Sequence, residues 1–219
     1  MLKFHSFAIV SCLGKEAKLW SSDMPPVYSD VPRLGSVAPN FQLPGVDGKT
    51  YQLNDFLGSL QETRILVVTF MCNHCPYVIA VQGRINALAK EYYSRGVRLV
   101  GINSNDSIRY PDDSMDGMGV RAREQGFAFP YLRDESQSVA KDYGAVCTPE
   151  FYAYLQQGEK FILKYQGRLD DSWKDEKAVQ TRELAHALDQ LLQGKDPDVD
   201  QKPAMGCSIK WKQFEDLKD

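Results

Sequence analysis

Three features of the sequence point to an α/β fold with a mixed central sheet flanked by helices. Residues 65–71 and 97–102 are nearly continuous apolar runs rich in β-branched side chains, the pattern of strands buried on both faces. Between them Val78, Val81, Ile85, Leu88 and Tyr92 recur at spacings of 3, 4, 3 and 4, one face of a helix over about 76–93. Such a strand–helix–strand unit makes a parallel pair with a right-handed crossover. Residues 151–155 and 161–165 then alternate around Gln156-Gln157-Gly158-Glu159, which adds an antiparallel hairpin and makes the sheet mixed. With 219 residues, 43% of them hydrophobic, and no internal repeat, one core is the economical reading. The expected division is an N-terminal extension over 1–33, one domain over 34–194 and a C-terminal tail over 195–219.

The remaining elements follow in chain order. Residues 1–12 read Met-Leu-Lys-Phe-His-Ser-Phe-Ala-Ile-Val-Ser-Cys, and Phe7 to Val10 supply four apolar residues. An export signal needs roughly 7–15, so a cytoplasmic protein with a loosely ordered extension is expected, with export as the alternative. Pro25, Pro26 and Pro32 make 21–33 a non-helical lead-in. Phe41-Gln42-Leu43 reads as a short strand and Val46-Asp47-Gly48-Lys49 as a hairpin turn, because Asp-Gly readily adopts positive φ. The partner strand is 50–53, and Asn54-Asp55 caps a helical turn ending at Gly58. Pro76 suits the first turn of the central helix, while Gly83 within it costs about 1 kcal/mol relative to Ala. A helix over 114–125, a strand over 129–132 and a helix over 136–143 ending at Gly144 come next. The last helix is expected over 177–192, with Leu184, Leu188 and Leu191 on one side and a stop at Gly194.

Composition excludes two function classes. The formal charge is −3, with no basic excess to neutralise a phosphate backbone, so a nucleic-acid partner is not expected. The longest apolar stretch, 65–72, has 8 residues. A membrane-spanning helix needs about 20, so no membrane partner is expected either. The sequence carries no signal for oligomeric state.

Cysteines stand at 12, 72, 75, 147 and 207, too sparse a set for a disulfide scaffold. The informative run is Thr69-Phe70-Met71-Cys72-Asn73-His74-Cys75-Pro76, where a buried strand feeds a helix. A cysteine at a helix N-terminus meets free backbone N–H groups and the positive end of the macrodipole, and both favour thiolate. This spacing supports Cys72 as nucleophile with a depressed pKa, Cys75 one turn on as resolving thiol, and His74 as a group that tunes Cys72. Three rivals compete. Zinc needs two further ligands, and Cys147, Cys207, His5 and His186 are isolated. Covalent haem needs His after the second cysteine, where Pro76 stands. A purely structural pair is the third.

Lesser features have two readings each. Asn103 to Asp106 follows a parallel strand and emerges at the sheet edge that carries Cys72, as a ligand site or as a turn rich in Asn and Asp. Asp112-Asp113 and Asp170-Asp171 are adjacent carboxylates, expected as solvated loop charges. Cys147 is either an extra resolving thiol or an inert apolar residue. Cys207 either reaches the active site or bridges two chains, with a disordered tail as the plainer account.

Taken together, Gly35-Ser36-Val37-Ala38-Pro39-Asn40-Phe41, Asp47-Gly48-Lys49, Phe129-Pro130-Tyr131-Leu132 and Val139-Ala140-Lys141-Asp142-Tyr143-Gly144 resemble the alkyl hydroperoxide reductase and thiol-specific antioxidant family. Cys72-Asn73-His74-Cys75-Pro76-Tyr77-Val78, Ile102-Asn103-Ser104-Asn105-Asp106, Val146-Cys147-Thr148-Pro149 and Gly206-Cys207-Ser208-Ile209-Lys210-Trp211-Lys212 resemble its peroxiredoxin-like 1 group, within the thioredoxin superfamily. The resemblance implies a thioredoxin-like fold with an N-terminal hairpin extension. It implies a cis Pro149 beside the cysteine pair, shaping a substrate groove with Asn73, Pro76, Thr148 and Asn103. It also implies that Thr69 orients an incoming peroxide.

This sequence departs from the peroxidase pattern Pro-x-x-x-Thr-x-x-Cys, because Ile65 holds the proline position. The pocket arginine of that family is also missing after the proline, where Glu150-Phe151-Tyr152 stands; Arg133 and Arg109 are the candidates to replace it in space. The expectation is therefore a thiol-dependent oxidoreductase with an antioxidant role, exchanging protein disulfides ahead of reducing hydroperoxides. A cellular dithiol would reset it, and no cofactor is called for. The rival outside enzymology is a copper- or zinc-handling module using Cys72, Cys75 and His74.

Overall fold

The computed structural model describes residues 25–58, 64–198 and 200–213. The export-signal reading of 1–12 and Cys12 lie outside the described residues. In chain order the strands and helices are β1 Val27–Tyr28, β2 Gln42–Pro44, β3 Thr50–Gln52, β4 Ile65–Phe70, α1 Pro76–Tyr93, β5 Val97–Asn103, α2 Met115–Gln125, β6 Tyr131–Arg133, α3 Ser138–Tyr143, β7 Cys147–Thr148, β8 Glu150–Gln157, β9 Lys160–Gly167, α4 Glu183–Leu192 and β10 Met205–Ser208.

The central sheet runs β6-β5-β4-β8-β9. β4, β5 and β6 are parallel, and β8 and β9 are antiparallel to their neighbours. β4 is buried throughout because its alternate residues feed two different cores. Ile65 and Val67 join Val78, Val81, Ile85 and Leu88 of α1 and Leu184, Leu188 and Leu191 of α4. Leu66, Val68 and Phe70 face the other way, onto Val139 of α3 and onto Phe41, Leu43 and Phe56 of the N-terminal hairpin region. Each such fully buried side chain contributes on the order of 1.5–3 kcal/mol. The sheet is thus clamped on both faces, and the C-terminal ends of β4 and β5 are held at one edge.

Local boundaries depart from expectation for identifiable reasons. The last helix begins at Glu183, not 177, because the Asp171 carboxylate accepts the backbone N–H groups of Gln180 and Thr181 and holds that stretch outside the helix. β6 starts at Tyr131 because Pro130 has no N–H to give the ladder. α3 begins at Ser138 because Gln137 adopts φ 62° while its side chain bridges Ser104, Lys210 and Lys212. Asp170 is not a solvated charge: it is buried in an ion pair with Arg84.

The main correction concerns the C-terminus. Through residue 213 it is not a loose tail. β10 lies between β1 and β7 in an antiparallel three-stranded sheet. Lys210 then fastens it by donating its N–H to Asn105 Oδ1 and accepting the N–H of Asp106.

Candidate active site

β4 and α1 deliver the cysteine pair. Cys75 is the N-cap residue of α1, with Pro76 in the first turn, and Cys72 lies just past the end of β4. Cys72 is 2% exposed and Cys75 is fully buried. Both sulfurs face Thr148, the residue before the cis peptide bond to Pro149. Cys72 Sγ lies 3.4 Å from Thr148 Oγ1, and the Cys75 thiol donates to the Thr148 carbonyl at 3.1 Å. β10 brings a third sulfur, since Cys207 sits opposite Thr148 in the β7–β10 register.

The surroundings of Cys75 favour its ionisation over that of Cys72. Burial opposes ionisation there, but the neighbouring thiols of Cys207 and Cys72 and the backbone N–H groups of Val78 and Cys207 bring its pKa below the ordinary thiol range. On ionising, Cys75 gives up only its contact with the Thr148 carbonyl. Cys72 moves the other way. Burial, its donation to Cys75 and the nearby Asp113 carboxylate push its thiol up. The expectation of a depressed Cys72 pKa is not met, because burial, the Cys75 contact and the Asp113 carboxylate all act against its charge.

His74 is engaged by Asp113, which is not the solvated loop charge expected of it. Asp113 is fully buried. Its Oδ1 accepts from the Asn73 N–H at 2.7 Å and from Asn103 Nδ2 at 3.0 Å. Its Oδ2 pairs with His74 Nδ1 at 2.5 Å and accepts from Asn105 Nδ2 at 2.9 Å. Burial alone would raise its pKa, yet the His74 bond and these donors hold it below the carboxylate norm. The His74 ring also stacks on Tyr110, with centroids 4.7 Å apart. The only sequence signal for Asp113 was a Pro-Asp-Asp turn leading into the α2 N-cap, Ser114.

The groove expected from Asn73, Pro76, Thr148 and Asn103 does not form from those four. Asp113 and Tyr131 draw Asn73 and Asn103 into an internal network. β10 covers Thr148, and only Pro76 is exposed. An open groove of about 270 Å³ lies instead beside Pro149, lined by Tyr28, Phe151, Trp173, Pro203 and Met205 among others. Thr69 is fully buried, and its hydroxyl makes no hydrogen bond. The two candidate arginines are committed elsewhere: Arg133 to Glu135 and the Asn103 carbonyl, Arg109 to Asp106 and Gln213. The arginine at this end is Arg121, which donates to the Asn73 carbonyl. Cys147 is buried beside Glu150, and burial together with that carboxylate pushes its thiol up, which fits the inert reading.

A metal would have to use Cys72, His74 and Asp113, whose ligand atoms lie within 4.8 Å of one another. Both Asp113 oxygens already carry two donors each, so this set is built as a hydrogen-bonded network rather than a cation cage.

Comparison with known proteins bears on this geometry. Residues 34–172 match the model of the AhpC/TSA family. A crystal structure of an uncharacterized conserved protein from Geobacillus kaustophilus is 43% identical, covers 86% of this chain and 97% of its own, and superposes with a TM-score of 0.78. A solution structure from Neisseria meningitidis, provisionally described as a thioredoxin, is 19% identical over 74% of this chain and 93% of its own, with a TM-score of 0.53, a likeness of fold alone. The chloroplastic peroxiredoxin Q of Triticum aestivum is 23% identical over 61% of this chain. The chain spans about half the length of the curated relatives it matches, 55% in that case.

Proposed function

The chain belongs to the AhpC/TSA family, and on that premise we propose that it is a thiol–disulfide oxidoreductase whose dithiol is Cys72 and Cys75. The observation that carries this reading is the pair of sulfurs at the start of α1, both set against Thr148 beside the cis peptide bond to Pro149, in surroundings that favour ionisation of Cys75 over Cys72. The Cys75 thiolate attacks one sulfur of a substrate disulfide, and the departing thiolate takes up a proton. Cys72 then attacks the Cys75 sulfur of the mixed disulfide, and its proton leaves with the second substrate thiol. One disulfide is broken and one formed, and the protein gives up two electrons. A cellular dithiol reverses the sequence to reset the enzyme. These roles are the reverse of those that spacing alone suggests.

Hydroperoxide reduction is the lesser activity in this reading. Both candidate arginines are held by other partners, and the Thr69 hydroxyl is sealed in the core. The test is to react fully reduced protein with hydrogen peroxide and, separately, with a protein disulfide, with Cys75→Ser as control. Fast exchange with the disulfide beside slow peroxide consumption is expected. Rapid peroxide consumption dependent on Cys75 would overturn the preference.

A further inference from the structure

We propose that Cys207 is a third redox-active thiol, and that oxidation of the site joins it to Cys75, so that the C-terminal strand carries a built-in disulfide partner for the active site. This rests on the thiol–disulfide reading above and goes beyond its two-cysteine form.

Backbone pairing alone delivers Cys207 to the site. β10 is antiparallel to β7, with Cys207 opposite Thr148 and Ser208 opposite Cys147. Thr148 is the residue whose hydroxyl and carbonyl face Cys72 and Cys75. The approach is close enough to demand glycine at the preceding position: a Cβ on Gly206 would lie 1.9 Å from the Thr148 carbonyl oxygen. The strand is held on its other edge as well, by β1, where Val27 pairs with Gly206. Beyond it, Lys210 is tied through its N–H and carbonyl to Asn105 and Asp106. Cys207 packs against the cluster that contains Cys72 and Cys75. Among the described cysteines it is also the one that is not buried.

The chemistry balances without a cofactor. A soluble disulfide, the oxidant class of the proposed function, is attacked by Cys75, and its first thiol departs. Cys207 attacks the Cys75 sulfur of the mixed disulfide, a Cys75–Cys207 bond forms, and the Cys207 proton leaves with the second thiol. Cys75 therefore has a partner on each side, Cys72 from its own motif and Cys207 from the strand laid across it. Linked this way, β10 is fixed covalently over Thr148.

The test uses the full chain, reduced and then oxidised with glutathione disulfide, quenched in acid, alkylated and digested for disulfide mapping by mass spectrometry. A Cys75–Cys207 cross-link is expected in the wild type. In Cys72→Ser it should become the main oxidised form, with little Cys75–glutathione adduct. In the Cys72→Ser, Cys207→Ser double variant that adduct should persist at least tenfold longer. A wild type that yields only Cys72–Cys75, together with a Cys72→Ser variant that retains the glutathione adduct on Cys75 and a free Cys207, would overturn the proposal while leaving the thiol–disulfide reading standing. Failure of any cysteine to be oxidised would overturn both.

Discussion

Cys75 and Cys147 are both fully buried and both adjoin Thr148, Cys75 through the Thr148 carbonyl and Cys147 as its chain neighbour, yet the chain surrounds them with groups of opposite polarity. Two thiols and two backbone N–H groups converge on Cys75, while a carboxylate, Glu150, sits beside Cys147. Burial raises a thiol pKa in both places. Only at Cys75 do donors outweigh it. The contrast teaches that the direction in which a buried thiol pKa moves depends on which groups surround the sulfur, and that a helix start, where N–H groups are unpaired by necessity, is one source of donors.

Substitution of the two cysteines should separate them most widely. Cys75→Ser should lower disulfide-exchange activity by on the order of 10³-fold or more, while Cys147→Ser should leave it within about twofold of wild type, the scale expected for a residue that touches no reacting atom. Steady-state reduction of a protein disulfide reads both, and a comparable loss in the two variants would break the comparison.

The next effect is on stability. Asp113→Ala strips the acceptor from Asn73, His74, Asn103 and Asn105 and should cost about 3–5 kcal/mol in urea unfolding. A loss under about 1 kcal/mol would show that the network is not buried as described. Glu150→Gln should cost less, about 1–3 kcal/mol, because the single amide oxygen can still accept from Tyr152 and Gln166 while the amide NH2 takes the place of the acceptor of the Val146 N–H. The same change should lower the Cys147 thiol pKa, making that cysteine alkylate faster under mild denaturation.

The smallest effect is in the pH profile of stability. Asp113 has a folded-state pKa below its unfolded value, so the stability it contributes is fully present above the unfolded carboxylate value of about 3.9. It is lost as pH falls through the lower, folded value. Wild type should therefore lose stability below about pH 4 more steeply than Asp113→Asn, and parallel acid profiles would contradict the assignment.

What could be read from the sequence was local. The β4–α1–β5 unit and the β8–β9 hairpin announced themselves through periodicity, because neighbours along the chain decide those patterns. The cysteine pair at the strand–helix junction was legible for the same reason. The assignment of charge within it was not, since it depends on which residue caps the helix and on thiols contributed from afar. β10 reads Met-Gly-Cys-Ser, with no period and a glycine, and it exists because β1 and β7 flank it. Asp113 gave no signal beyond its turn because its partners are three side chains and one backbone group that meet only in the folded chain. The early start expected for α4 failed because a single carboxylate, Asp171, captured two backbone donors ahead of the helix.

The measurement that tests the central claim most directly is the pH titration of thiolate ultraviolet absorbance in reduced wild type, Cys75→Ser and Cys72→Ser. A step well below the free-thiol value of about 8.5 is expected in wild type. It should vanish in Cys75→Ser and survive in Cys72→Ser, where a serine hydroxyl can still donate to the Cys75 sulfur. A low step that survives in Cys75→Ser and vanishes in Cys72→Ser would place the charge on the other sulfur and contradict the account.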